Sequence, residues 1–140
     1  MNYDLDRFKR MQERDYAKAL SEIKNGRKTS HWIWYIFPQV KGLGFSYNSE
    51  VYGIDGLEEA REYLKDETLR NNLIDISNAL LNLEESDPEI VMGYPDNLKL
   101  FSSMTLFYKA DPSIEVFKKV LDKYYDGDLD ENTLNLIERR

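Results

Sequence analysis

The amino-acid sequence predicts an all-α protein, folded as a single compact domain of about seven to eight short and medium helices. Three observations favour this class. Apolar residues outside one aromatic stretch recur at helical spacing, most runs follow an aspartate, serine or threonine that can cap a helix, and no alternating strand pattern with a hairpin turn is present. The predicted domain, residues 1–140, is long enough to bury a core without metals or disulfides.

The first predicted helix runs from Asp4 to Asn25 and ends at Gly26, a residue type common just after a helix. A break near Gln12 is left open. Its apolar residues share one side of the helix: Leu5, Phe8, Tyr16, Leu20 and Ile23.

An aromatic stretch, residues 30–46, follows and holds both tryptophans and the only histidine. Thr29 or Ser30 can cap a helix that begins at His31 and ends at Pro38. The branched and aromatic residues 32–37 suit a strand equally well. We prefer a short buried helix because no second strand candidate exists to pair with it, and we expect at least two of Trp32, Trp34 and Phe37 to be mostly buried.

The rest of the chain alternates turn signals and helix starts. Residues 41–44 read as a turn, and a short helix is expected around Glu50 to Ile54. A nearly all-apolar helix is predicted from Asn97 to Lys109. Aspartates that can begin helices stand at Asp55, Asp66, Asp87, Asp96, Asp111 and Asp130, and prolines follow two of them, Asp87 and Asp111.

Composition excludes several classes of function. The net charge of −7 argues against general nucleic-acid binding, and no apolar run is long enough to cross a membrane. Without cysteine and with one histidine, the usual zinc motifs are absent, so we predict no metal and no cofactor. The start of the chain lacks the pattern of a secretion signal, and we expect a cytoplasmic protein.

Three segments resemble the signatures of a known bacterial family, the domain of unknown function numbered 1810. They are Lys28 to Gln39, Gly42 to Ser46 and Leu98 to Phe107. The resemblance runs the whole length of the chain and implies a mainly helical fold, but no reaction, substrate or catalytic residue. Some members carry an automatic calpastatin label, yet calpastatin is disordered, and 13% aromatic residues do not fit disorder.

Candidate ligand residues cluster near the start of the aromatic stretch. Ser30 and His31 stand at the predicted helix start, where backbone donors favour an anion, although Ser30 can simply cap the helix. Trp32 can stack on a planar ligand or belong to the core. Gln39 and Ser46 flank a glycine-containing turn, from which they can donate hydrogen bonds to a ligand.

A second group of candidates lies on the predicted helix from Asn97 to Lys109. Lys99, Ser102 and Ser103 form one polar stripe at spacings of three and four residues. They either meet a ligand, or the lysine reaches solvent and the serines allow close helix packing.

We therefore predict that a small anionic metabolite binds in one pocket between His31 and Lys99, closed by the loop from Gly42 to Ser46. If a reaction occurs, His31 is the candidate catalytic residue, because histidine exchanges protons near neutral pH. The alternative is a non-enzymatic protein-interaction module that uses the aromatic stretch from Trp32 to Phe37.

Overall fold

The computed structural model describes residues 3–139, so residues 1, 2 and 140 of the predicted domain lie outside the described part. Nine helices and no strand occupy the described residues, which confirms the all-α class with one helix more than the upper number predicted. They are α1 (Asp6–Lys24), α2 (Ile33–Ile36), α3 (Tyr47–Tyr52), α4 (Gly56–Lys65), α5 (Glu67–Leu81), α6 (Pro88–Met92), α7 (Asp96–Ala110), α8 (Glu115–Tyr125) and α9 (Glu131–Glu138).

Helix α7 is the centre of the packing, as its apolar sequence predicts. It contacts α2, α4, α6, α8 and α9, while α1 packs on α2 and α5, and α5 also packs on α4 and α8. Leu100, Met104, Leu106 and Phe107 of α7 are fully buried. The described part of the chain has one core cluster, and each of helices α1 to α8 supplies it with at least one buried or partly buried apolar residue. Leu136 and Ile137 of α9 pack against the same cluster.

Two predicted helix starts are confirmed by their caps. Asp66 accepts a hydrogen bond from the N–H of Leu69 and begins α5, and Asp87 accepts one from the N–H of Glu89 and begins α6. Helix α1 ends at Lys24, and Gly26 follows it at a positive φ of 84°. Helix α1 is continuous, so the break considered near Gln12 is absent. The Gln12 side chain is buried, and its amide is hydrogen-bonded to Tyr35, Tyr63 and Asn72.

Three predicted starts are wrong, those of α8 and α3 and, in the aromatic stretch, that of α2. Asp111 does not begin α8, which starts at Glu115, because the Asp111 carboxylate instead binds the N–H and hydroxyl of Ser113 in a turn. Helix α3 begins at Tyr47, three residues before the predicted Glu50, because the Ser46 hydroxyl caps it by accepting from the N–H of Ser49.

The aromatic stretch is a core element, and its expected burial is confirmed. Trp32 and Phe37 are 1% and 0% exposed. The helix there spans only Ile33–Ile36, so the prediction that it starts at His31 under a Ser30 or Thr29 cap is wrong. Trp32 stands at the N-cap position without a side-chain capping bond, and Ser30 lies two residues earlier, where its hydroxyl donates to Glu22 of α1, 2.6 Å away.

Glu22 fastens the whole segment that precedes α2. This buried carboxylate accepts hydrogen bonds from the backbone N–H groups of Thr29 and Ser30 and from the indole N–H of Trp32, at 2.7 to 3.0 Å. Burial alone would raise the pKa of Glu22, but these donors and the Ser30 hydroxyl lower the pKa to about 2. Glu22 is therefore ionised at neutral pH.

Residues 41–53 form a loop that is closed at its base. The N–H of Lys41 donates to Ile54 O, and the N–H of Ile54 donates to Gln39 O, each at 2.8 Å. Arg7 of α1 holds the C-terminal end of the loop by donating to the carbonyls of Val51 and Gly53. These bonds anchor the loop, which includes α3, at its base and to α1, and one side of the loop faces α7 across a cleft.

Within residues 3–139, no helix is long and apolar enough to span a membrane.

Candidate functional site

A cleft of about 400 Å³, which we call the Lys99 cleft, lies between the 41–53 loop and α7. The start of α9 forms its third wall. Its lining mixes apolar side chains with amides, hydroxyls and two charges of opposite sign: Gln39, Leu43, Gly44, Ser49, Pro95, Leu98, Lys99, Phe101, Ser102, Asp130 and Asn132. A narrower pocket shares Gln39, Leu43, Gly44 and Ser49 with it and reaches Trp34 and Tyr52.

The cationic wall of the cleft belongs to a three-charge group on α7 and the segment before α2. Asp96 Oδ2 lies 2.6 Å from Lys28 Nζ, and Asp96 Oδ1 lies 3.1 Å from Lys99 Nζ. The Lys28 side chain is only 5% exposed, and its ammonium also lies over the Trp32 ring and donates to Ser30 O. Two lysines share one aspartate, so the group carries a net positive charge, and Lys99 is its more exposed member.

Trp34 positions Lys99 in the cleft. The ammonium nitrogen lies 4.8 Å from the centroid of the indole ring, a distance at which the ring attracts a cation. Of three ammonium protons, Asp96 takes one, which leaves Lys99 able to donate to a ligand.

The anionic wall is Asp130, which immediately precedes α9. Its Oδ2 accepts hydrogen bonds from the hydroxyls of Ser102, at 2.8 Å, and Thr133, at 2.6 Å. Its backbone N–H donates to the Thr105 hydroxyl at 3.0 Å. These bonds tie the start of α9 to α7, so Ser102 lines the cleft and also orients the carboxylate there.

Aromatic stacking supports the floor of the cleft. The Phe101 ring stacks on Tyr125 with centroids 4.6 Å apart. The Tyr125 hydroxyl donates to Asn97 O, and burial raises its pKa, so it stays protonated. Two exposed aromatic residues are the chain neighbours of cleft residues: Phe45 follows Gly44 and is 91% exposed, and Tyr94 precedes Pro95 and is 72% exposed.

Three predicted ligand residues, Gln39, Lys99 and Ser102, come together in the Lys99 cleft, and Leu43 and Gly44 of the predicted closing loop line it as well. Ser46 does not line the cleft and caps α3 instead. Ser103 is fully buried, and its hydroxyl makes no hydrogen bond with any described residue.

The structure places the other three predicted residues elsewhere. Ser30, His31 and Trp32 line a separate pocket of about 340 Å³ together with Arg14, Asp15, Lys18 and Thr29. The expectation that His31 and Lys99 share one pocket is therefore wrong. The short helix α2 lies between them: the exposed His31 precedes it, whereas Lys99 approaches Trp34 inside it.

Hydrogen bonds already occupy much of this second pocket. Ser30 and the Trp32 indole are bound to Glu22, and the Tyr35 hydroxyl donates to Asp15, which also pairs with Arg14 at 2.9 Å. Burial, followed by the bond to Asp15, raises the pKa of Tyr35 to about 12. Trp32 is almost fully buried, so its ring offers no face to a stacking ligand.

Sequence reasoning missed Asp130 and Asn132 as cleft residues. Asp130 was expected only as a helix start, and neither residue carries a local signal, since both enter the cleft through packing of α9 on α7. Trp34 was grouped with the aromatic stretch. Its contact with Lys99 depends on how α2 meets α7, which residue spacing does not reveal.

Comparison with known proteins agrees with the fold. A family model described as Protein of unknown function (DUF1810) matches residues 2–137. The crystal structure of the conserved hypothetical protein Rv1873 from Mycobacterium tuberculosis is similar over 97% of both chains, with 40% sequence identity and a TM-score of 0.95. No curated protein matches the chain.

Proposed function

We propose that this chain, which belongs to the family of proteins of unknown function DUF1810, binds a small ligand with an anionic group in the Lys99 cleft. The observation that carries the proposal is the sharing of Asp96 by Lys28 and Lys99. The shared carboxylate neutralises only one of the two lysines. The remaining positive charge attracts an anion at Lys99, the lysine that faces the cleft.

The composition of the cleft supports a small-molecule site. Small-molecule sites are concave, mostly apolar and contain a few polar groups that orient the ligand. In the Lys99 cleft, Leu43, Pro95, Leu98 and Phe101 supply the apolar wall, and Gln39, Ser49 and Asn132 supply amide and hydroxyl groups. A volume of about 400 Å³ is within the range of such sites.

Burial of the aromatic stretch weighs against the alternative of a protein-interaction module. Trp32, Tyr35 and Phe37 are buried, so the segment from Trp32 to Phe37 does not present the flat apolar patch that such a module needs. The proposal is binding, with no catalytic group assigned, because the candidate catalytic residue His31 lines the other pocket.

The test is a melting-temperature screen against phosphorylated metabolites and nucleotides. Mass action stabilises a fold by about 2.7 kcal/mol when the ligand is at 100 times its dissociation constant. We expect an anionic compound to raise the melting temperature of the wild-type protein and of Lys109→Met, an exposed lysine on the same helix. We expect no rise in Lys99→Met.

His31→Ala separates the two pockets. We expect this variant to respond as the wild type does, because His31 does not line the Lys99 cleft. A rise in Lys99→Met equal to that of the wild type would refute the proposal, and so would a screen in which no compound with an anionic group, zwitterions included, stabilises the wild-type protein.

A further inference from the structure

Asp130 lines the cleft, and one of its two carboxylate oxygens has no hydrogen-bond partner among residues 3–139. Oδ2 is held by Ser102 and Thr133, whereas Oδ1 accepts no hydrogen bond from residues 3–139. Oδ1 is not a buried atom, so it is open to solvent. Asp130 makes no capping hydrogen bond to α9, and its carboxylate is turned toward α7 instead.

Lys99 and Asp130 face the same cleft without neutralising each other. No ion pair joins them among the described residues, because Lys99 is drawn to Asp96 and to the Trp34 ring. Lys99 and Ser102 are three residues apart on α7, which places their Cβ atoms about 5–6 Å apart. Ser102 holds the Asp130 carboxylate. The place where Lys99 can bind an anionic group and the place where Asp130 can bind a cationic group therefore lie about one helical turn apart.

We infer that the Lys99 cleft takes a zwitterionic ligand, with its anionic group beside Lys99 and its cationic group at Asp130 Oδ1. This inference rests on the proposed function and narrows its ligand class. A ligand with only a negative charge would be attracted by Lys99 and repelled by Asp130, and a ligand with only a positive charge would meet the reverse. Charges separated by a few bonds, as in an amino-acid headgroup, satisfy both walls.

Three probes that share one ring test the inference. L-Tryptophan carries both charges, indole-3-propionate only the negative one and tryptamine only the positive one. The indole suits the apolar wall formed by Leu43, Pro95, Leu98 and Phe101. Dissociation constants are measured for each probe by NMR titration, with the resonances of cleft residues followed in each titration.

In the wild-type protein we expect L-tryptophan to bind roughly tenfold more tightly than either singly charged probe, because each singly charged probe makes one charge-assisted hydrogen bond fewer than L-tryptophan does. Asp130→Asn should abolish the advantage over indole-3-propionate and keep the advantage over tryptamine. Lys99→Met should abolish the advantage over tryptamine and keep the advantage over indole-3-propionate. The matched control is Asp128→Asn, an exposed aspartate two residues before Asp130, which should leave the ranking unchanged.

The outcomes separate this inference from the proposed function. If indole-3-propionate binds as tightly as L-tryptophan, and Lys99→Met weakens the binding of indole-3-propionate, then the proposed binding of an anionic group at Lys99 stands and the zwitterion inference is overturned. If none of the three probes shifts cleft resonances at millimolar concentration, the zwitterion inference is overturned, and the proposed function falls with it only if the melting-temperature screen also finds no stabilising compound. The ranking in the wild-type protein decides the question even if Asp130→Asn does not fold.

Discussion

Replacement of Glu22 by glutamine removes one negative charge from a buried position that four donors surround. These donors are the Ser30 hydroxyl, the Trp32 indole and the N–H groups of Thr29 and Ser30. The amide side chain of glutamine retains one acceptor oxygen and places an NH2 group where the second oxygen was. The Glu22→Gln variant therefore loses charge-assisted hydrogen bonds without creating a cavity.

The size of the effect follows from the pKa of Glu22. Its pKa is lowered from an ordinary 4.5 to about 2, so the ionised form is favoured in the folded state. One pKa unit corresponds to about 1.4 kcal/mol, so this ionisation contributes roughly 3 kcal/mol to the free energy of unfolding at neutral pH. For a lowered pKa, the contribution is complete above the unfolded pKa and disappears as the pH falls toward the folded one. About 2 kcal/mol of it is gone at pH 3.

The assay is urea denaturation of the wild type and Glu22→Gln between pH 7 and pH 3. We expect the variant to be less stable at pH 7 and the difference to narrow by about 2 kcal/mol at pH 3, because protonated Glu22 resembles glutamine. Glu13→Gln, an exposed glutamate on the same helix, is the control and should show no such narrowing. A difference between wild type and Glu22→Gln that stays constant with pH would refute the reasoning.

Three further substitutions test the supports of the fold, each measured as the free energy of unfolding in urea. Gly53→Ala should lose about 1–3 kcal/mol, because an added Cβ would lie 2.7–2.9 Å from backbone atoms of the loop, and an unchanged stability would contradict this. Gln12→Leu should lose about 2 kcal/mol, since it leaves the buried Tyr63 hydroxyl without its donor; a loss below 0.5 kcal/mol, within the ordinary surface range, would contradict it. Arg7→Met should lose about 3–5 kcal/mol by leaving Glu59 buried and unpaired, and adding Glu59→Gln should restore part of the loss.

Local sequence signals predicted the helices well where the determining contacts are local. Asp66 and Asp87 lie within three residues of the N–H groups that they cap, so their pattern alone locates α5 and α6. Helical spacing predicted the apolar helix α7 to within one residue at each end. The start of α2 was misplaced because the partner of Ser30 is Glu22, eight residues earlier on another helix.

The polar stripe on α7 was predictable for the same reason, because the spacing of Lys99 and Ser102 is a property of one helix. What these residues face was not predictable. Lys99 meets Trp34, and Ser102 meets Asp130, 28 residues further along the chain. His31 was expected beside Lys99 and lies in another pocket.

The sequence by itself thus determined the all-α class, most helix starts, the burial of the aromatic stretch and the polar character of one stripe of α7. Hydrophobic periodicity and caps act over three or four residues, so they can be read along the chain. Tertiary structure alone decided that Gln39, Lys99, Ser102 and Asp130 share one cleft and that His31 does not. The physical reason is that helix packing joins residues far apart in sequence, and local patterns carry no record of which helices meet.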